Sequence, residues 1–165
     1  MAAVTCVLGP LAVPIGPVPV SLTPLAVFLS VYIIGTKKGT IAYLIYLLIG
    51  AVGVPVFSGF SGGVGKLAGP TGGYLIGFIL MALISGWFIH RYYDKVAIQF
   101  LGMILGLVIC YAFGTAWLAY SAGMSFYAAL AAGVLPFIAF DIIKILVSIF
   151  LGRTIRKRLP GSFTS

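Results

Sequence analysis

Charge is scarce in this sequence and negative charge nearly absent: glutamate does not occur, and Asp94 and Asp141 stand against ten Lys and Arg. Charged residues make up 7% of the chain and hydrophobic ones 62%, where a soluble domain carries about 25% and about 45–50%. So few charged side chains cannot cover so large an apolar interior, which excludes a soluble globular enzyme. Disorder is excluded by the same apolar excess, and an integral membrane protein of several helices is left. A net charge of +8 would suggest nucleic acid in a soluble protein. Here the basic residues sit in the gaps between apolar runs, so they read as membrane orientation and argue for no nucleic-acid partner.

Cysteine is also sparse. Cys6 and Cys110 lie inside apolar runs with no His or second Cys nearby, so neither a disulfide framework nor a metal site is expected. There is no Walker A motif, no metal-ligand cluster and no pair of carboxylates placed for hydrolysis. Glycine spacing of the GxGxxG kind carries no weight without a strand before it. The expectation is therefore no catalytic residues, no cofactor and no enzyme activity. The N-terminus lacks a charged region ahead of its apolar run, so that run reads as a first membrane helix and not as a cleavable signal peptide.

The charges punctuate the chain. Lys37 and Lys38 form one basic cluster, Arg91 and Lys95 a second, and Arg153, Arg156, Lys157 and Arg158 a third. Short basic loops stay in the cytoplasm, so all three belong on one side and consecutive clusters are joined by an even number of crossings. The reading is an all-α bundle of six transmembrane helices with both termini cytoplasmic, over about 1–13, 20–34, 39–52, 72–89, 96–120 and 126–151, in one domain spanning 1–165. The first is strained: thirteen residues give about 20 Å of helix against a hydrocarbon core of about 30 Å. Either that helix is short in the membrane or the natural chain starts upstream.

Two outer connections stand out. The elbow Val13 to Pro19, VPIGPVP, is stiffened by its prolines. The loop from 54 to 73 contains seven glycines with Pro55 and Pro70, yet also Val54, Val56, Phe57, Phe60, Val64 and Leu67. An apolar, Gly-rich outer loop reads as a lid packed over something, since irregular backbone at membrane depth must be buried or line a cavity. A re-entrant turn without a ligand is the alternative.

Asp141 and Lys144 carry the strongest signal. Three residues apart, they share a helix face, and counting back from Arg153 puts them about 18 and 13 Å from the cytoplasmic edge. Each charge costs roughly 2.5–3.5 kcal/mol at that depth, so both should face the bundle interior. A structural ion pair is the competing reading, weakened because apolar packing often serves stability as well. Pro136 frees the Ala132 carbonyl, which opens a polar pocket or makes an ordinary kink. His90 and Trp87 read as interfacial, Trp117 and Tyr120 as belt or pocket wall, and Lys66 as a partner for an acidic ligand group or a solvated charge.

The elbow IGPVPVSL, the run GVPVFSGFSGGVGKLAGPTGGYLIGF and the late PFIAFDIIK together resemble the BioY family, the biotin-specific substrate-capture (S) components of energy-coupling factor vitamin transporters. The resemblance runs from about Cys6 to Arg158, and the GPTGGYLIGF block is its most specific part. It implies six helices in a bacterial cytoplasmic membrane and an outward-facing pocket for biotin beneath the connecting loops. It further implies transport driven by separate partners, two ATPases and a coupling membrane protein, which accounts for the missing Walker motif. Ala2 and Ala3 hint at the small-residue face that meets the coupling protein. By the same resemblance Ser61, Gly62, Gly63, Asp141 and Lys144 help form the biotin site. The chain departs from the family in having Ala139 and Phe140 where Pro-Gly is common, and Ser61 where Asn can occur.

Biotin offers two ureido N–H donors and a carbonyl on an apolar bicycle, with a carboxylate on an alkyl tail. Asp141 is suited to accept from the N–H groups, and Lys144 to meet the carbonyl or the carboxylate. Tyr74, Trp117 and the loop aromatics would supply apolar walls. Two other functions compete with a capture subunit: a self-sufficient carrier exchanging protons on Asp141 or Lys144, and a structural subunit whose ion pair holds helices together.

Overall fold

The structure is a computed structural model, and it describes residues 1–159. Residues 160–165, the end of the expected domain, lie outside the described residues. Helices α1 (Ala2–Leu8), α2 (Thr23–Ile34), α3 (Thr36–Ala51), α4 (Val64–Ala68), α5 (Gly72–Arg91), α6 (Val96–Ala122), α7 (Phe126–Gly133) and α8 (Ile138–Arg158) account for most of the chain. Strands β1 (Ala12–Val13) and β2 (Val20–Ser21) lie between α1 and α2.

Helices α5 and α6 are long and apolar enough to cross a membrane, and α7 with α8 makes a third span if the pair, bent by 48°, is taken as one. Helix α2 is apolar but shorter, about 18 Å at ~1.5 Å per residue. Among the described residues the most extensive helix–helix packing is between α5 and α6. Along α6, Gly102, Gly106, Cys110 and Gly114 recur every four residues and turn one small-sided face to α5. Where lipid supplies no hydrophobic force between helices, close backbone approach of this kind holds them together. A Cβ added at Gly77 of α5 would stand 3.0 Å from the Cys110 Sγ and 3.1 Å from its Cα.

Three segments differ from the expectation. The first helix ends at Leu8 instead of residue 13, because Gly9-Pro10 cannot continue it. The chain then turns into an antiparallel ladder, with Ala12 opposite Ser21 and Val13 opposite Val20. The proline elbow is thus a small β-hairpin within an otherwise helical protein. Helix α3 begins at Thr36 instead of Gly39, since Gly35 alone (φ 89°, ψ 166°) joins it to α2, in a region essentially reserved for glycine. Lys37 and Lys38 therefore occupy the first turn of α3. Finally, the helix expected over 126–151 is broken between Gly133 and Ile138, where Pro136 removes a donor and its ring clashes with the preceding turn. The outer segment 54–73 is also more ordered than a loop, since it holds α4 and a bridge between Phe57 and Ser61. It packs down through Phe57, fully buried with its ring edge-on to Tyr46 at 5.5 Å.

At the basic end, buried Gln99 joins several elements. Its Oε1 accepts from the Tyr32 hydroxyl of α2, and its Nε2 donates to the carbonyls of Tyr92 (3.1 Å) and Tyr93 beyond α5. Arg156 of α8 donates to the Tyr32 carbonyl at 3.3 Å and lies 4.6 Å from the centre of the Tyr93 ring. Gln99→Leu keeps the bulk and strands these groups, at about 1–3 kcal/mol for a buried unsatisfied group. The expected result is an unfolding midpoint several degrees lower in detergent, read by a thiol-reactive dye reaching buried Cys110. An unchanged midpoint would mean the cluster does not hold the helices.

Candidate ligand-binding site

The break between α7 and α8 shapes the interior. It puts Asp141 in the first turn of α8, where the partial positive charge of a helix N-terminus favours a carboxylate. Its Oδ1 accepts from the Lys144 ammonium at 2.7 Å, and both residues are buried, 3% and 7% exposed. Its Oδ2 accepts from the Tyr111 hydroxyl of α6 at 2.5 Å. Asp141 therefore receives an ammonium and a phenol at once. Both oxygens keep further acceptor capacity, the phenol oxygen keeps its lone pairs, and Lys144 keeps donors. This constellation can bind a small polar group that both donates and accepts.

The three side chains face a cavity of about 50 Å³, a narrow slot at roughly 10–15 Å³ per water. The elbow (Val18, Pro19, Ser21), the start of α2 (Thr23, Pro24) and Ser58 line it. One face of α5 also lines it, with the cap residue Thr71 and then Tyr74, Leu75 and Phe78 at helical spacing. The Tyr74 hydroxyl crosses to the Gly133 carbonyl at 3.1 Å, satisfying an acceptor freed by the helix break. Larger hollows of about 920 and 380 Å³ lie along α6, beside α8 and α7, with mostly apolar walls suited to acyl chains.

Of the residues singled out in the sequence, Tyr74, Asp141 and Lys144 line the slot together. Ser61, Gly62 and Gly63 do not line it. The Ser61 hydroxyl donates to the Ser58 carbonyl at 2.9 Å, and the Gly63 N–H donates to Gly50 at 2.6 Å, so these residues shape the loop that presents Ser58. Trp117 also stands outside, its Nε1 donating to the Gly69 carbonyl at 2.9 Å, which ties the outer loop to α6. Trp87 and Tyr120 are exposed, His90 abuts Gly35, and Lys66 is half-buried in α4. Tyr111, Thr71 and Ser58 went unread in the sequence. For Tyr111 a signal was present, since a phenol in the middle of an apolar helix needs a polar partner.

Comparison with known proteins places this chain in a family. Residues 1–161 match the BioY family. The biotin transporter BioY2 of Lactococcus lactis subsp. cremoris is 41% identical over 90% of this chain and 82% of its own length. The biotin transporter BioY of Thermotoga maritima is 40% identical over 89% of this chain and 86% of its own. A crystal structure of the S-component for biotin from an ECF-type ABC transporter superposes with a TM-score of 0.89 at 28% identity, over 98% of this chain and 88% of that one. By sequence along nearly its whole length, and by fold, the chain belongs to the BioY family.

Proposed function

We propose that this protein is the substrate-binding subunit of a biotin uptake system and holds biotin in the slot between the elbow, α5 and α8. The observation that carries this reading is the buried Asp141–Lys144–Tyr111 constellation facing that slot, in a chain whose relatives are biotin transporters. A cyclic urea needs acceptors for its N–H groups and a donor for its carbonyl, and these three side chains supply both. The slot is narrow, so entry of a bicyclic head parts its lining. The elbow hairpin and the Ser58 segment are the parts to yield, being short and without long helices of their own.

The subunit resides in a bacterial cytoplasmic membrane and takes its energy from a coupling membrane protein and two ATPase partners. Ser61, Gly62 and Gly63 serve the site by shaping the lid, Tyr74 by walling it, and Trp117 by bracing it. Titration of detergent-purified protein with biotin, followed by calorimetry, should give tight one-site binding. Cells supplied with this chain but with no energising module should accumulate no biotin against a gradient. Well-folded protein that gives no binding heat would overturn the reading, and accumulation that collapses with the proton gradient would favour a self-sufficient carrier.

A further inference from the structure

We propose that the groove between the start of α6 and the last turns of α8 binds an anionic phospholipid, its acyl chains along the apolar walls and its phosphate on Arg153 and Lys157. This site shares no lining residue with the slot, and it stands whatever the slot holds.

Helices α6 and α8 touch far less extensively than α5 and α6 do, and the space between them is the hollow of about 920 Å³. Ala97, Phe100 and Leu101 line it from α6, and Leu146, Ile149 and Phe150 from α8. Its walls lie open, Leu101 being 62% and Phe150 72% exposed. In a bilayer such a surface meets acyl chains.

The basic end sets this groove apart from other lipid-facing surface. Positions 146, 149, 150, 153 and 157 follow the spacing of one helix face. The stripe along α8 therefore runs from apolar to cationic within about 17 Å at ~1.5 Å per residue, the order in which a phospholipid runs from tail to phosphate. The hollow of about 380 Å³ beside α7 has no charged residue in its lining, so it offers acyl chains a wall but no seat for a phosphate.

Both cations can reach a ligand. Among the described residues Lys157 has no ion-pair or hydrogen-bond partner. Arg153 stands 5.7 Å from the centre of the Tyr93 ring, and stacking on an aromatic face leaves its N–H groups for a phosphate. Arg156 turns inward to the Tyr32 carbonyl and takes no part. The acidic residues of the chain are Asp94 and Asp141, and neither lines the groove. Basic pockets between membrane helices hold anionic head groups by this chemistry. A second copy of the chain is a poor occupant, because at a net charge of +8 it would bring cations to cations.

The test uses the full chain in an uncharged detergent, offered dioleoyl phosphatidylglycerol and dioleoyl phosphatidylcholine in equal amounts and read by mass spectrometry of the intact protein. The two lipids share their chains and differ in head-group charge. Wild type should retain one phosphatidylglycerol by preference, about fivefold for each cation and so roughly thirtyfold for two. Lys157→Gln, at an exposed position, should lose about fivefold of that preference, and Arg153→Gln with Lys157→Gln nearly all of it. Lys37→Gln with Arg91→Gln removes as much charge away from the groove and should keep the preference. Ala97→Trp fills the groove without touching a charge, and it should lower retention of phosphatidylglycerol. Equal retention of the two lipids by wild type would overturn the proposal, as would a preference that survives the loss of both groove cations. Displacement of the lipid by millimolar glycerol 3-phosphate would also overturn it, reducing the site to one for free phosphate, and so would a dimer that retains no lipid.

Discussion

Lys144→Met, with Asp141 left in place, should abolish measurable biotin binding and lower the stability of the protein by about 3–5 kcal/mol. The pair is deeply buried, with side-chain exposures of 8% and 4%, so removing one partner strands the other charge in a medium of low dielectric. Asp141→Asn should do the same from the opposite side, leaving Lys144 uncompensated and weakening binding well beyond tenfold. The informative protein is the double variant Asp141→Asn, Lys144→Met. With both charges gone and the volumes kept, a buried pair is often no better than its neutral replacement, so thermal stability should return close to wild type. Biotin binding should not return, because the acceptor for the ureido N–H groups and the cationic donor are both lost. Calorimetry beside thermal unfolding separates the two quantities. A double variant that regains both would show that the pair serves only to hold helices together.

The second large effect is expected at Gly77. Gly77→Leu drives a branched side chain into the seam where even a Cβ would stand 3.1 Å from the Cα of Cys110. Backbone cannot step aside as a flexible side chain does, so α5 and α6 must separate. Overpacking costs about 1–3 kcal/mol even where the surroundings relax, and here the most extensive helix–helix seam is forced apart. We expect little folded protein in detergent by size-exclusion chromatography. In what does fold, biotin affinity should fall by more than tenfold, since Tyr111 follows Cys110 directly and moves with it. Gly65→Ala is the control, because a Cβ there meets nothing within 4 Å. It should behave as wild type in both assays, and a normal Gly77→Leu would mean the seam is looser than its geometry.

Much of the site could be read from the sequence because it is local. Asp141 and Lys144 are three residues apart in an apolar stretch, and helical spacing alone puts them on one face. Tyr111 escaped because its partner lies 30 residues further on, a distance that only helix packing closes. Pro136 was visible, but the size of its effect was not. A kink leaves Asp141 in mid-helix, whereas a break moves it to a helix N-terminus and changes the electrostatics of the pair. In the outer loop, neighbouring serines exchange roles: the Phe57–Ser61 bridge turns Ser61 onto the Ser58 carbonyl and leaves Ser58 on the slot. The stripe of Gly102, Gly106, Cys110 and Gly114 is plain once α6 is drawn. A reading that takes charge as its punctuation passes over it.

The broken last span also bears on how the chain enters a bilayer during synthesis. Helices α5 and α6 are each long and apolar enough to cross a membrane, and each can partition into lipid unaided. The stretch from Phe126 to Arg158 is interrupted by Pro136 and holds an acid and a base, each opposed by roughly 2.5–3.5 kcal/mol at mid-depth. Left to itself it would hesitate at the translocon. If α5 and α6 are already inserted and paired, Tyr111 waits within the membrane as a donor for Asp141, and Lys144 arrives three residues later to neutralise it. The order of synthesis thus supplies the polar partner before the charge that needs it.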